Sequence, residues 1–363
     1  SFPALARIWS EIICQWIQKV GELVHRIDVD RELIARTFFA GRDPGPVRAV
    51  KFGISDPHNG GRETVIARFD RGRVVYKPRS GENERAWFSL LRWINGQGLL
   101  PEFRILRVLC RPQYCWVEFV TPRPCENNVQ IKNYYRRAGR LLCITYLIGA
   151  IDCHCDNLIA AGDQPVLIDA ETLLHRQPES SAYEGAAALL TTGLLPVPNG
   201  SDADTYRVSG LGGTEIGPHT ATLNGRPVRL SAYSSELSRG FREMWSLLAK
   251  SGTQAQWGFR RQIHRLEALR WRRIYSPTSK YVFIRNASLD PFALRSGVQR
   301  RRMIENMLRR KGVDESTLRR EIRAIINLDI PYFTDRPRAN FRQAAALSLP
   351  HALKWIRSAS RSL

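Results

Sequence analysis

The run YLIGAIDCHCDNLIAAGDQPVLIDAETLLH, residues 146–175, constrains this chain more than any other part of it. It begins inside a helical pattern over 134–151. The apolar end of that pattern, LLCITYLIGAI (141–151), is too short to span a bilayer and reads as a buried helix. Two short apolar runs, 158–160 and 166–168, then flank a turn at 161–164. Asp152 and Asn157 stand five residues apart in the loop between helix and hairpin. Asp169 stands twelve beyond Asn157, directly after the apolar strand 165–168. The hairpin turns the chain back, so Asn157 and Asp169 are expected side by side, offering two oxygen ligands of the kind Mg2+ prefers. Glu171 adds a carboxylate that faces the same side as Asp169 if the chain is extended there. One Asp and one Asn in a loop are more often turn residues than ligands, so the weight lies on the joint order.

That order suits phosphoryl transfer, which needs cations on the phosphates, carboxylates to hold Mg2+ and a group to orient the nucleophile. In protein kinases a catalytic Asp precedes a metal-binding Asn by five residues, and a second metal-binding Asp follows at a strand end. Upstream, Lys77 ends the strand RVVYKPR, where a kinase places the Lys that holds nucleotide phosphates. The next helix offers Glu82 and Glu84 as its ion-pair partners, and Glu84 is preferred. His154 supports the catalytic Asp or contacts phosphate. The Cys153-His154-Cys155 cluster does not have the ligand spacing of a zinc site, and no second cluster accompanies it.

The remaining pattern fits an α+β chain with a two-lobed kinase-like fold: a small β-rich N-lobe and a larger, mainly helical C-lobe. Residues 1–46 read as a helical lead-in, broken by GRDPGP (41–46). Residues 47–125 form the N-lobe, with β-rich runs at 64–69, 73–76, 103–110 and 114–120 and one helix. Residues 126–335 form the C-lobe, with a Gly/Ser/Thr/Pro-rich loop insertion near 176–230. A helical tail over 336–363 completes the chain.

The net charge of +21 favours polyanions, acidic peptides or phosphate groups. The arginines are spread along the chain without a nucleic-acid motif, so no nucleic-acid partner is expected. No apolar run reaches membrane-spanning length. The N-terminus SFPALARIW does not read as a signal peptide. Seven cysteines, an odd number, in a chain too long for a disulfide scaffold read as reduced thiols of a cytoplasmic protein.

Several motifs together carry a resemblance. YKPR (76–79), SDPHNGGR (55–62), the 146–175 run, TTGLLP (191–196), SGLGG (209–213) and DIPYF (329–333) resemble the dehydratase domain of class II lanthipeptide synthetases, the LanM family. The resemblance covers most of the chain. It implies a lipid-kinase-like fold that phosphorylates Ser and Thr of a ribosomal precursor peptide, with its leader and Ser/Thr-rich core, using ATP and Mg2+. Elimination of the phosphate then leaves dehydroalanine or dehydrobutyrine. Asp56 and His58 match the family's Asp-x-His motif near the active site, and Lys77 its nucleotide-binding Lys. Asp152, His154 and Asn157 match its catalytic loop, Asp169 its metal-binding Asp, and Glu171 the acidic residue beside it. In RRIYSPT (272–278), Arg272 and Thr278 match the Arg and Thr that serve elimination, while Ser276 replaces a second Arg.

Full-length members carry a longer N-terminal region and a zinc-dependent cyclase. This chain ends at Leu363 without cyclase-like motifs, so three readings stay open: a fragment, a stand-alone dehydratase with a separate cyclase as partner, or a remnant that no longer turns over. Two other functions fit the same residues: a kinase-like phosphotransferase without elimination, and a degenerate peptide-binding fragment.

Overall fold

The computed structural model of the protein describes residues 2–175, 189–196, 209–212, 217–248, 252–337 and 348–361. Most of the predicted loop insertion, residues 176–188, 197–208 and 213–216, lies outside them. The described chain mixes helices with small antiparallel sheets, as the α+β expectation required. It divides into two compact units. The first comprises Ser1–Gly81, Arg107–Phe119 and Arg273–Phe333; the second comprises Glu82–Leu106, Val120–Arg272 and Thr334–Leu363. No helix among the described residues is long and apolar enough to cross a membrane.

In the first unit, helices α1 (Pro3–Val29) and α2 (Arg31–Phe38) cover one face of a five-stranded antiparallel sheet. Its strands are β1 (Val47–Lys51), β2 (Val65–Phe69), β3 (Gly72–Lys77), β4 (Val108–Cys110) and β5 (Cys115–Glu118), in the order β1-β2-β3-β5-β4. Alternation selects the core: Val65, Ala67, Phe69, Val74, Tyr76 and Trp116 point toward Leu23, Ile27, Ile34 and Phe38. The buried Asp30 carboxylate, between α1 and α2, ties the helices to the sheet. It accepts from Trp116 Nε1 at 2.8 Å and from the Arg111 guanidinium. The first two-thirds of α1 rests on Ala4 and Ile8, while Trp9, Ile13, Trp16 and Ile17 are exposed. A second core of this unit joins Tyr281, Ile304, Ile322 and their neighbours. They come from α7 (Thr278–Ala287), α8 (Gly297–Leu308) and α9 (Glu315–Ile326).

The strand predicted over 103–110 is shorter than its apolar pattern. Phe103 exchanges both backbone hydrogen bonds with the Asn95 side chain, and Arg104 N–H donates to Gln164 Oε1. These groups are satisfied without a ladder, so pairing begins only at Val108.

The second unit contains α3 (Glu82–Asn95), α4 (Asn128–Leu147), a β6–β7 hairpin (Leu158–Ala161, Gln164–Leu167), α5 (Ser234–Leu248) and α6 (Gln254–Glu267). Helix α4 starts on an Asn127 cap and is buried at every residue from Arg137 to its end. Its backbone touches that of α5. A Cβ on Gly139 would lie 1.9 Å from Leu237 O, and one on Gly240 1.9 Å from Arg136 O. Beside this crossing, the buried Arg140 guanidinium donates to the carbonyls of Leu99, Leu100 and Pro101 and to Glu243.

Candidate active site

Helix α4 ends at Leu147, and Gly149, at φ +63°, turns the chain into the loop that carries Asp152. Asp152 itself adopts a left-handed conformation at φ +65°. That geometry is uncommon outside glycine and tolerated best by Asn and Asp, so it has to be held in place by the surroundings. It is held from several sides. Thr172 Oγ1 donates to Ile151 O at 2.7 Å, and Cys153 N–H donates to Thr192 O at 2.8 Å. Gly193 and Gly210 pack against the same backbone, and a Cβ on Gly210 would meet Cys153 O at 2.6 Å. Gly210 N–H in turn donates to Gly193 O. The motifs TTGLLP and SGLGG thus converge on the 146–175 run, and Gly193 and Gly210 are where a side chain would crowd its backbone.

Within the loop, His154 Nε2 lies 3.2 Å from Asp152 Oδ1, while His154 Nδ1 accepts from Asp156 N–H at 3.2 Å. The backbone donor fixes the neutral tautomer: Nε2 carries the proton and directs it at Asp152. Burial works against the charged imidazolium. The Asp152 hydrogen bond and the charges of Asp152, Asp156 and Asp169 outweigh it, so the His154 pKa is raised. Asn157 Nδ2 donates to Asp152 O at 2.8 Å, so the side-chain amide is oriented by the loop it closes. Ile168 N–H donates to Asn157 O at 2.9 Å, so the hairpin does return Asp169 to the neighbourhood of Asn157.

The backbone after Asp169 turns rather than extends. Asp169 Oδ1 accepts from Glu171 N–H at 3.2 Å, and the buried Glu171 carboxylate pairs with the Arg272 guanidinium. Arg272 N–H also donates to Glu171 O at 2.8 Å. The second unit therefore joins Asp152, His154, Asn157, Asp169, Glu171 and Arg272 into one connected set, although 101 residues separate Glu171 from Arg272.

One member of this neighbourhood escaped the sequence reading. His219 is buried, its carbonyl accepts from Tyr134 O–H, and the adjacent Pro218 carbonyl accepts from Ala160 N–H of β6. Burial lowers its pKa; it also senses the charges of Asp156 and His154. The only sequence signal was a His inside a Gly/Pro/Thr-rich stretch, where nothing distinguishes a packed imidazole from a surface one.

The other predicted residues belong to the first unit, apart from Glu84. Pairing between His58 and Arg62 shapes the SDPHNGGR loop. Asp329 Oδ2 and Oδ1 accept from Gly60 and Gly61 N–H at 2.7 and 2.8 Å. His58 Nδ1 donates to Ile330 O at 2.7 Å, and Ile330 N–H donates to Pro57 O. The DIPYF motif is thus the clasp of the loop bearing Asp56 and His58, and the His58 and Tyr332 rings lie 5.2 Å apart. Lys77 is buried at the end of β3; because Tyr76 enters the α1–α2 core, Lys77 points from the opposite sheet face. Of the acids opening α3, Glu82 is exposed and pairs with Arg85, whereas Glu84 is buried. Thr278 opens α7, so it and Arg272 fall in different units.

A family model described as "Domain of unknown function (DUF4135)" matches residues 2–220 and 214–336. The chain belongs to that family. A curated relative, the lacticin 481/lactococcin biosynthesis protein LcnDR2 of Lactococcus lactis subsp. lactis, is 23% identical across 77% of this chain and 35% of its own length. The chain thus spans about a third of the length of that relative. Together the two matches bear out the LanM resemblance carried by the motifs. In this LanM-family chain the oxygen donors of Asn157 and Asp169 fit a hard divalent cation such as Mg2+. Burial pushes the thiol of Cys153 far up, with the charges of Asp152 and Asp169 adding to the shift.

Proposed function

We propose that this chain is the dehydratase portion of a lanthipeptide biosynthetic enzyme of the cytoplasm, with a two-lobed kinase-like arrangement. It phosphorylates Ser and Thr of a precursor peptide and then eliminates the phosphate. The observation that carries the reading is the linked set from Asp152 to Arg272. Bound Mg2+ and ATP would supply the phosphoryl group and neutralise its charge; Asn157 and Asp169 would hold the metal and Lys77 the nucleotide phosphates. Asp152 orients the substrate hydroxyl or accepts its proton. His154 holds the Asp152 carboxylate through Nε2–H. Asp56 and His58 belong to the same chemistry by the family pattern. Arg272, positioned by Glu171, and Thr278 act on the phosphate during elimination, where developing negative charge on the leaving group needs stabilisation.

The deciding experiment incubates the protein with ATP, Mg2+ and the cognate precursor peptide and reads the product by mass spectrometry. Loss of water from the peptide is expected, and none with Asp169→Asn. Arg272→Lys should accumulate phosphopeptide. Full dehydration by Asp169→Asn would overturn the mechanism. Ser276, buried where the family pattern has a second Arg, favours one other outcome, stable phosphopeptide from the unmodified chain. That result would make the protein a phosphotransferase without elimination.

A further inference from the structure

Cys110 ends β4 and Cys115 begins β5, and the two are direct cross-strand partners. The next pair outward, Arg111 and Tyr114, is hydrogen-bonded, with Arg111 N–H donating to Tyr114 O at 2.8 Å. In an antiparallel ladder the two pair types alternate, so Cys110 and Cys115 form a non-hydrogen-bonded pair, the type in which side chains approach closest. The Cα separation of such pairs falls within the range a disulfide bridges. Both residues carry thiols in this structure. A Cβ on Gly81 would lie 2.9 Å from the Cys115 sulfur and 3.2 Å from the Cys110 sulfur, so both sulfurs converge on one point. Cys115 is fully buried and Cys110 half-buried, which gives an oxidant access to one thiol and shelters the other.

The row does not stop at the two thiols. Cys115 is also the direct partner of Lys77 on β3. Direct partners share a sheet face, so Lys77, Cys115 and Cys110 form one cross-strand row opposite the α1–α2 core.

We propose that Cys110 and Cys115 are a reversible oxidation site that closes to a cross-strand disulfide and thereby alters the row holding Lys77. A peroxide is the oxidant. The Cys110 thiol is oxidised to the sulfenic acid as the peroxide is reduced to water, or to an alcohol for an organic peroxide. The Cys115 sulfur then attacks Cys110 sulfur, the S–S bond forms, the S–O bond breaks, and hydroxide leaves as water with the Cys115 proton. A dithiol reductant reverses the step by exchange. The two sulfurs take up the room that a side chain at Gly81 would need, so the pair lies directly beside the YKPRSG segment that carries Lys77.

The consequence for Lys77 rests on its proposed nucleotide role; formation of the bond does not. The test treats the reduced protein with hydrogen peroxide and maps its peptides by mass spectrometry without reduction. The ATP·Mg2+-dependent rise in Tm is measured in parallel. A loss of two hydrogens is expected on the peptide joining Cys110 and Cys115, restored by dithiothreitol. The oxidised protein should lose most of its ATP-dependent rise in Tm, while Cys110→Ser keeps it with or without peroxide. Absence of that cross-link, or sulfinic acid on Cys110 in its place, would overturn the site. A cross-link that leaves the ATP response intact would overturn its coupling to Lys77. A reduced protein that forms the cross-link but never responds to ATP would instead count against the kinase reading, with the oxidation site standing.

Discussion

The first unit fixes its motif loop with buried carboxylates, whereas the second fixes its own largely with glycines. Asp329 clasps the Asp56–His58 loop through two backbone N–H groups, and Asp30 joins Trp116 and Arg111 in the same unit. In the second unit, Gly139 and Gly240 let α4 and α5 touch backbone to backbone, and Gly193 and Gly210 do the same for the Asp152 loop. The difference sets what each unit tolerates. A carboxylate clasp fails when an acceptor is lost and N–H groups are left unpaired. A glycine contact fails when any side chain is added, whatever its chemistry.

The largest effect is expected at the helix crossing. Gly139→Leu places a side chain where even Cβ lies 1.9 Å from a carbonyl oxygen, and should cost more than about 4 kcal/mol in denaturant unfolding. A variant with the parent's midpoint would break the comparison at its strongest point. Next comes Asp30→Ala, which leaves the buried Trp116 N–H unpaired and takes the partner from the partly exposed Arg111 guanidinium; a loss of about 2–4 kcal/mol is expected in the same assay. Gly210→Ala should cost about 1–3 kcal/mol, because Cys153 O must move away from the new methyl. Under the proposed function it should also lower kcat more than it raises KM, since the displaced loop carries Asp152.

The smallest effect concerns acid. Hydrogen bonding to Arg62 lowers the Glu22 pKa in the first unit. In the second, burial opposes ionisation of Glu243, but Arg136 and Arg140 outweigh it and lower that pKa too. Both folded pKa values lie below the unfolded one. The stabilisation is therefore fully present above the unfolded pKa, about 4.3, and is lost as pH falls through the folded value. Glu22→Gln should flatten the acid limb for amides of the first unit only, and Glu243→Gln for those of the second, read by hydrogen exchange between pH 5 and 3. Flattening in both units by either variant would remove the distinction.

What the sequence revealed follows the range of the interactions involved. The return of Asp169 to Asn157 was legible because a two-residue hairpin turn, Gly162-Asp163, accomplishes it locally. The helical period of α1 was legible as well, yet the apolar stripe at Trp9, Ile13 and Trp16 faces outward, and period alone does not say which face is covered. The Glu171–Arg272 pair, the Asp329 clasp and the place of His219 join residues far apart in sequence. No local pattern records such partners. The shared motifs marked Asp329 and Glu171 without saying that SGLGG braces Cys153 or that DIPYF closes over Gly60 and Gly61, and His219 lies in none of them.

The left-handed backbone of Asp152 decides which inactive protein is a fair control. Asn tolerates that conformation nearly as well as Asp, so Asp152→Asn deletes the negative charge and leaves the chain path alone. Ala or Glu at the same position adds about 1–2 kcal/mol of local strain and invites the loop to relax. A dead Asp152→Asn enzyme reports on the carboxylate; a dead Asp152→Ala enzyme reports on carboxylate and fold at once.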